Sequence, residues 1–311
     1  MTDGPTAGVD IGGTKIRAAV VMPGGEVLTS ATAPTPSGGA AMLDVAAALV
    51  ERAAASAGVR VAAVGVGAAG VVDPATGEVL AASDTFAGWI GTNVRTGLGS
   101  RTGLPVVVAN DVDSFLVGEA TWGAVRGVGS AAGIALGTGV GGALWLDGAL
   151  YRGAGAAGEI GHMPGFGDAA CTCGQRGHLE TLASGRSVER RYGELVGGVG
   201  VGGVGAGGVG AAEIEARARV GDPTAARVFA DAGHAVGSAV LVLAALLDVG
   251  HVVVGGGLAR AWDLLEPALL ARLRDEPPVS GHTIEVRPAL LGADATVVGA
   301  AALALSATSW L

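Results

Sequence analysis

Two glycine turns, each placed directly after an apolar run, constrain the fold of this 311-residue chain most strongly. The first is segment 9–14, Val-Asp-Ile-Gly-Gly-Thr, and the second is segment 136–142, Leu-Gly-Thr-Gly-Val-Gly-Gly. Each apolar run predicts a strand, and the glycines that follow expose backbone N–H groups that an anion can approach closely. Thr14 and Thr138 place a hydroxyl beside those amides. Because the motif occurs twice, the sequence predicts two similar α/β lobes facing a polyphosphate-binding cleft.

The composition favours a globular protein of two domains. Half of the residues are hydrophobic and 15% are charged, which excludes a disordered chain. The net charge of −9 weighs against non-specific binding to nucleic acid or to an acidic membrane. The apolar segment 235–247 ends at Asp248, so it predicts a buried core helix rather than a transmembrane helix. No secretion signal is predicted, and Cys171 and Cys173 indicate reduced thiols or a metal site in the cytoplasm.

Strand and helix signals alternate along the whole chain. In the first part the pattern predicts hairpin turns at 23–25 and 73–77, strands over 59–66 and 105–109, a helix over 40–57 that stops at Gly58, and a helix to Trp122 capped by Asp113 or Ser114. In the second part it predicts strands over 131–136, 143–146 and 251–254, irregular structure over 148–178, a mobile loop over 196–210, and helices over 179–195, 211–220, 223–247, from 258 to about 274, and 292–305.

The glycine turns are interpreted as phosphate-binding loops. Phosphate oxygens would contact the turn around Gly12, Gly13, Thr14 and Lys15, with Asp10 facing Mg²⁺ through water. A plain hairpin turn with Asp10 capping backbone amides is the alternative. The second turn, Gly137, Thr138 and Gly139, has the same two readings. The third turn, Gly255, Gly256 and Gly257, can accept an adenine or a ribose, and a plain strand-to-helix turn is its alternative.

Asn110 and Asp111 follow a predicted buried strand, at the end where open α/β sheets bind ligands. An aspartate there can accept the proton of an attacking hydroxyl, and the asparagine can hydrogen-bond a polyol. A turn or a helix cap is the alternative for both residues. Because Asp113 can serve as the cap, the pattern leaves Asp111 available for catalysis.

The segment 158–180 contains four metal-ligating side chains, namely His162, Cys171, Cys173 and His178. Two thiolates and two imidazoles form a set typical of tetrahedral zinc, and no coordination position is left open, so the ion would be structural. Histidines that bind no metal are the alternative, and the Cys-x-Cys spacing favours the metal. Glu159 and Glu180 flank the set and can accept hydrogen bonds from sugar hydroxyls.

These motifs resemble, in order and over nearly the whole chain, the sugar kinases of the ROK family (repressor, open reading frame, kinase), such as bacterial glucokinases. The resemblance implies the two-lobed actin-like ATPase fold, ATP with Mg²⁺, and phosphorylation of a hexose at O6. It further implies that Asp111 is the base, that Asn110, Glu159, His162 and Glu180 bind the sugar, and that His162 also binds zinc. ROK kinases are commonly dimers or tetramers. The predicted lobes are 1–110 joined by 292–311, and 111–291.

Two positions depart from the family pattern. His178 stands where the last cysteine of the zinc segment is usual, and imidazole has a different reach from a thiolate. Ser83-Asp84-Thr85 stands where the family often has an asparagine that contacts the sugar, so Asp84 is a candidate specificity residue. The accepted sugar is therefore left open among glucose, mannose, fructose and N-acetylated hexosamines.

Two other functions compete with the kinase. Many ROK proteins are sugar-responsive repressors, which carry a helix-turn-helix domain before the first glycine loop; only eight residues precede Val9 here, and the charge is acidic. A sugar-binding module, or an ATPase without a sugar acceptor, is the other alternative. The Asn110-Asp111 pair together with the two glutamates favours a polyol acceptor.

Overall fold

A computed structural model describes residues 4–83, 86–197 and 208–307 of the chain. The contacts divide it into two compact units. The first comprises Met1–Gly133, Ala143–Ala157 and Ala289–Leu311, and the second comprises Ile134–Gly142 and Gly158–Pro288. Both are α/β units.

The strands, in chain order, are β1 (Thr6–Ile11), β2 (Lys15–Val21), β3 (Val27–Pro34), β4 (Val64–Ala68), β5 (Val71–Val72), β6 (Val79–Ala81), β7 (Val106–Asn110), β8 (Ala131–Leu136), β9 (Val140–Leu146), β10 (Ala149–Tyr151), β11 (His251–Gly255) and β12 (Glu285–Pro288). The helices are α1 (Gly39–Ala57), α2 (Val94–Thr102), α3 (Asp111–Thr121), α4 (Glu180–Ala183), α5 (Gly185–Leu195), α6 (Ala211–Arg219), α7 (Pro223–Leu247), α8 (Trp262–Asp275) and α9 (Ala295–Ala307).

The sheet of the first unit has the strand order β3-β2-β1-β4-β7. β1, β2 and β3 pair antiparallel as consecutive hairpins, and β4 and β7 extend the sheet parallel to β1. The parallel strands therefore end at one edge, where the chain turns at residues 12–14 after β1 and enters α3 after β7.

Helix α9 packs directly on this sheet because the strands carry glycine where the helix backbone passes. A Cβ atom at Gly8 or Gly65 would overlap backbone atoms of α9, as would one at Gly118 on α3. Gly299 of α9 in turn meets the backbone of Ser114 on α3. Small residues thus let two helices and a sheet approach closely in the core of the first unit.

A buried glutamate fixes the entry to α9. The side chain of Glu119 is fully buried at the end of α3. One of its carboxylate oxygens accepts hydrogen bonds from the amides of Ala124 at 2.7 Å and Leu290 at 3.1 Å, and the other accepts one from Leu291 at 2.8 Å. Three N–H donors compensate the charge of the buried carboxylate. Two of them belong to Leu290 and Leu291, so Glu119 holds the segment before α9 against the end of α3.

The second sheet has the order β10-β9-β8-β11-β12. Its first strand, β8, has the next two strands of the chain on one side and two later strands on the other, as β1 has in the first sheet. β8 and β9 contain residues of both units. β10 pairs antiparallel with β9, and β12 pairs parallel with β11. The repeated strand order agrees with the internal duplication predicted from the two glycine turns.

Helix α7 is the core helix of the second unit. By length and composition alone it is the one described helix that could cross a membrane. Its glycines Gly233 and Gly237 allow the backbone of α8 to approach, next to Leu265 and Leu269. Eleven of its residues are buried, so its apolar character is explained by packing, as the sequence predicts.

Several predicted boundaries are wrong for local physical reasons. The strand predicted over 59–66 begins only at Val64. The helix predicted over 179–195 is two helices, because the hydroxyl of Ser184 accepts a hydrogen bond from the Ser187 amide and caps α5. The last helix begins at Ala295 after a single 3₁₀ turn, and β12 has no counterpart in the sequence pattern.

The compact units also differ from the predicted lobes. Residues 111–133 and 143–157 belong to the first unit, in which α3 packs against α9. The C-terminal segment Ala289–Leu311 belongs to the first unit. The predicted specificity residue Asp84, and residues 198–207 of the predicted mobile loop, lie outside the described residues.

Candidate functional site

The first glycine turn is held by a residue that the sequence analysis did not single out. Gly12 donates its amide to the Lys15 carbonyl at 3.2 Å. The hydroxyl of Thr35 donates to the Gly12 carbonyl at 2.6 Å, and the Thr35 amide donates to the Thr14 carbonyl at 3.1 Å. Gly13 and Thr14 are exposed at the tip of the turn. Thr35 therefore binds the carbonyls of Gly12 and Thr14, while the tip of the turn faces solvent. A turn that binds phosphate through its amides has this arrangement.

Asp10 lies on β1 just before this turn and is partly buried. Burial raises the pKa of its carboxyl from 3.8 to about 6, although the positive charges of Lys15 and Arg17 act in the opposite direction. The carboxyl is thus mostly ionised at neutral pH but is poorly solvated. A cation close to it would relieve that cost.

Asn110 caps α3, which corrects the prediction that Asp113 or Ser114 is the cap. Its Oδ1 atom accepts hydrogen bonds from the amides of Val112 at 2.7 Å and Asp113 at 3.2 Å. Its Nδ2 atom donates to the Gly70 carbonyl at 2.9 Å. Both ends of the amide group therefore have backbone partners within the first unit.

Asp111 is the first residue of α3, and it follows directly on the last residue of β7. Its side chain is partly exposed, and its Oδ1 atom accepts the Val112 amide at 3.0 Å. The amides at a helix N-terminus stabilise an ionised carboxylate, which can then accept a proton from a ligand. Asn110 supplies the cap, and Asp111 follows it at this edge of the sheet.

The second glycine turn is tied to both α4 and α5. Gly137 donates its amide to the Gly139 carbonyl at 2.9 Å, and the Gly137 carbonyl accepts the Gly185 amide at 2.8 Å. The Val140 amide donates to Oε2 of Glu180 at 3.0 Å. A Cβ atom at position 139 would collide with the same carboxylate. The turn is therefore rigid, and Thr138 is exposed at its tip.

The third glycine turn lies against the end of β8. Gly256 has a φ angle of 91°, and a Cβ atom there would overlap the backbone of Leu136. Only glycine fits this left-handed conformation at such a close approach. Gly257 lies just beyond it and is exposed. The predicted second and third turns therefore lie side by side in the second unit.

A cavity of about 620 Å³ opens beside these two turns, within the second unit. Its volume is in the range that binds a small molecule or a cofactor. Its charged lining comes from α5, α6 and the segment after β11. The lining residues are Gly137, Thr138, Gly185, Arg186, Glu189, Ala211, Ala212, Glu215, Gly257, Leu258 and Arg260.

The four predicted metal ligands converge. The ligand atoms of His162, Cys171, Cys173 and His178 all lie within 4.8 Å of one another. Nδ1 of His162 is 3.4 Å from Nδ1 of His178, which is 3.3 Å from Sγ of Cys173, and Nδ1 of His162 is 3.9 Å from Sγ of Cys171. Tetrahedral zinc with nitrogen and sulfur ligands separates them by about 3.3–3.8 Å. The donor set and its spacing therefore fit such an ion.

Glu159 and Glu180 lie near this cluster. Oε1 of Glu180 accepts a hydrogen bond from the hydroxyl of Thr172 at 2.8 Å. Desolvation raises the pKa of the Glu159 carboxyl, with His162 opposing and Glu180 reinforcing the rise. Glu159, His162 and Glu180 are thus close enough to interact electrostatically. They are the three predicted sugar-binding residues that lie in the second unit.

The structure therefore groups the predicted residues within each unit. In the first unit Asp10, the turn at 12–14, Asn110 and Asp111 lie at the ends of the parallel strands β1 and β7. In the second unit the two other glycine turns border the cavity, and Glu180 connects one of them to the metal-ligand cluster. Sequence reasoning missed Thr35, Thr172 and Arg186, since a lone threonine or arginine carries no motif.

Comparison with known proteins gives a consistent family assignment. The ROK family matches residues 6–307. A glucokinase of Streptomyces coelicolor is 35% identical, over 97% of this chain and 98% of its own length. A crystal structure of a ROK family glucokinase from Streptomyces griseus in complex with glucose and AMPPNP is 35% identical, with a TM-score of 0.86 over 97% of this chain and all of that one.

A ROK hexokinase from Thermus thermophilus superposes with a TM-score of 0.82 at 34% identity, over 99% of this chain and 100% of that chain. These structures confirm the predicted α/β fold class, the two-lobed actin-like ATPase fold. The chain therefore belongs to the ROK family, as a sugar kinase.

Proposed function

We propose that this chain transfers the γ-phosphoryl group of ATP to the O6 hydroxyl of glucose or a closely related hexose, with Asp111 as general base. The observation that carries the proposal is the position of Asp111 after β7, at the helix N-terminus, with the cap supplied by Asn110. The similar glucokinase from Streptomyces griseus, solved with glucose and AMPPNP, supports both substrates.

The ATP phosphates contact the exposed tips of the glycine turns in this proposal. Gly13, Thr14 and Lys15 act in the first unit, and Gly137, Thr138 and Gly139 act in the second. The backbone amides of these turns are already oriented, since Thr35 and Glu180 hold the turns. Preorganised donors stabilise charge that develops on the transferred phosphoryl group. The adenosine occupies the cavity beside Gly256 and Gly257.

The sugar hydroxyl loses its proton to the Asp111 carboxylate as the oxygen attacks phosphorus. In the second unit Glu159, His162 and Glu180 accept or donate hydrogen bonds to the remaining hydroxyls. Asn110 contributes through Nδ2, which donates one hydrogen to the Gly70 carbonyl and the other to the sugar. Asp84 stays a predicted specificity residue.

Two metal ions belong to the proposal. Asp10, a hard oxygen donor beside the first turn, faces Mg²⁺ through water, and Mg²⁺ supplies neutralisation of phosphate charge when bound. His162, Cys171, Cys173 and His178 hold a structural Zn²⁺, whose contribution is to fix the segment that carries the sugar-binding residues. We further propose a cytoplasmic homo-oligomer, a dimer or tetramer, without nucleic-acid or membrane partners.

A hexose panel tests the proposal. Purified protein is assayed for ADP release with ATP and glucose, mannose, fructose or an N-acetylhexosamine, and the product is identified by ³¹P NMR. We expect ADP release that depends on the sugar and a 6-phosphate product, with the highest kcat/KM for glucose. ATP turnover that is the same with and without every sugar would contradict the proposal.

A further inference from the structure

The cavity of the second unit contains an arginine with a buried donor atom that no described residue binds. Arg186 lies in the first turn of α5 and lines the cavity beside Gly137 and Thr138. Its Nε atom is buried and has no hydrogen-bond partner among the described residues. A buried donor on a charged group without a partner is costly, so a native structure keeps one where something else supplies the acceptor.

The other charged residues of the cavity already have partners. Glu189 accepts the Ala211 amide at 2.9 Å, and Glu215 forms an ion pair with Arg219 at 2.7 Å. Arg260 donates from Nε to the Gly257 carbonyl at 3.2 Å. No ion pair joins Arg186 to any residue that the structure describes, whereas Arg190 and Arg191 of the same helix pair with carboxylates.

The backbone fixes Arg186 beside the second glycine turn. The preceding residue, Gly185, donates its amide to the Gly137 carbonyl at 2.8 Å, so the start of α5 and the turn form one hydrogen-bonded element. The planar guanidinium group matches a phosphate with two parallel hydrogen bonds and stays charged at every physiological pH. An anionic oxygen at this place therefore satisfies both the charge and the unpaired Nε.

We infer that Arg186 binds a phosphate group of the nucleotide donor and thereby determines affinity for ATP and ADP. This inference rests on the proposed function for the identity of the ligand. The role is one of binding and positioning: Arg186 contacts the donor's phosphates, and Asp111 still accepts the proton. The signature is a loss of affinity for nucleotides that spares the nucleoside, because adenosine has no phosphate.

Calorimetric titration of the full chain with ADP and with adenosine tests the inference. In Arg186→Met we expect the Kd for ADP to rise about tenfold to a hundredfold, as for loss of a charge-assisted hydrogen bond, with the Kd for adenosine within twofold of the wild type. The KM for ATP rises by a similar factor, and the KM for the sugar is unchanged. Arg227→Met, at an exposed arginine of α7 that does not line the cavity, is the control, with less than a threefold change for ADP.

Arg186→Lys keeps the charge and loses the planar fork, so we expect an ADP affinity between those of the wild type and Arg186→Met. It also carries the test if Arg186→Met does not fold, which circular dichroism would show. In that case a loss of at least threefold for ADP, with adenosine unchanged, supports the inference. An ADP affinity of the folded variant within threefold of the wild type, or an equal loss for ADP and adenosine, overturns it.

Failure of this inference can be told apart from failure of the proposed function. If the wild type phosphorylates a hexose and Arg186→Met leaves the ADP affinity unchanged, the inference is overturned and the proposed kinase function is retained. If the wild type binds ADP through Arg186 but phosphorylates no hexose, the proposed hexose kinase function is overturned and the inference is supported. Absence of ADP binding to the wild type overturns both.

Discussion

The carboxylate of Glu180 accepts a hydrogen bond from the backbone amide of Val140 at 3.0 Å, and its other oxygen accepts one from the hydroxyl of Thr172 at 2.8 Å. Val140 follows the second glycine turn, and Thr172 lies between the two cysteines of the metal-ligand cluster. One side chain thus joins the proposed phosphate turn to the segment proposed to hold zinc and sugar. Binding of ATP, the phosphoryl donor, and binding of the hexose, the phosphoryl acceptor, are therefore expected to weaken together when Glu180 is truncated.

Comparing two substitutions of Glu180 separates its two contacts. In Glu180→Ala the Val140 amide loses its partner, so we expect the KM values for both ATP and the hexose to rise at least tenfold. Glu180→Gln retains one carbonyl oxygen for the Val140 amide and an NH₂ group toward Thr172, so the KM for ATP should stay within threefold while that for the hexose rises. Steady-state kinetics with each substrate varied provide the measurement. Equal effects of both variants on ATP would argue against the connection.

Substitution of Asp10 is expected to stabilise the protein and to impair catalysis. The folded pKa is raised from 3.8 to about 6, so protonation is favoured in the folded state. The contribution of this group to stability is complete below pH 3.8 and is lost as the pH rises through 6. A shift of this size corresponds to about 3 kcal/mol at neutral pH.

Asp10→Asn should therefore melt at a higher temperature than the wild type at pH 7.5, without nucleotide or Mg²⁺, and at the same temperature near pH 4. Its kcat should fall at least tenfold, because the carboxylate proposed to face Mg²⁺ is gone. Calorimetry across this pH range checks the first statement, and Asp44→Asn, at an exposed ion pair, is the control. A destabilised Asp10→Asn at pH 7.5 would be incompatible with the burial cost assigned to this carboxyl.

Variants at Asn110 distinguish helix capping from sugar binding. Asn110→Ala removes the acceptor for the amides of Val112 and Asp113, and we expect a loss of about 1–2 kcal/mol of stability. Asn110→Ser restores a capping oxygen and should recover most of that stability, but it lacks the Nδ2 donor. If the amide also contacts the sugar, both variants raise the KM for the hexose. Denaturant unfolding measures the stability and steady-state kinetics measure the KM. If serine restores both the stability and the KM for the hexose, Asn110 acts only as the helix cap.

The cysteine and histidine cluster is expected to contain one zinc ion per chain, as measured by mass spectrometry of protein purified without chelator. Cys173→Ser should lose most of the metal and lower the Tm, whereas His178→Cys restores the pattern usual in the family and should retain it. His234→Ala, at an exposed histidine elsewhere, is the control. Less than one zinc per two wild-type chains would count against the site.

Glu119 supplies a prediction about stability alone. Glu119→Ala removes the carboxylate that accepts hydrogen bonds from three backbone amides, so we expect a loss of at least about 3 kcal/mol in the free energy of unfolding. The KM values of the remaining folded protein should be close to those of the wild type, since Glu119 lies at the opposite end of α3 from Asp111. Unfolding within 1 kcal/mol of the wild type would show that solvent replaces these bonds.

Local motifs account for the part of the fold and the site that could be predicted. The two glycine turns and the Cys-x-Cys spacing lie within short segments, and the structure brings the four metal-ligating side chains together. The features that were missed depend on distant partners. β12 forms only by pairing with β11 some thirty residues earlier, and Glu119 is bound by amides 171 and 172 residues away.

Competition among similar residues explains the remaining errors. Asn110, Asp113 and Ser114 are all good capping residues, and only the actual end of β7 shows that Asn110 holds that position. Ser184 and Gly185 fit a helical pattern as small residues, yet the serine hydroxyl caps a new helix. A periodic pattern does not reveal which of several possible local hydrogen bonds forms.

The turnover number of Asp111→Asn, measured with saturating ATP and glucose, tests the central proposal most directly. The variant keeps the size of the side chain and loses the base. We predict that kcat falls at least ~100-fold, while the Kd for glucose changes less than threefold and the Tm stays close to that of the wild type. A folded Asp111→Asn variant with a kcat within tenfold of the wild type would contradict the assignment of Asp111 as the base.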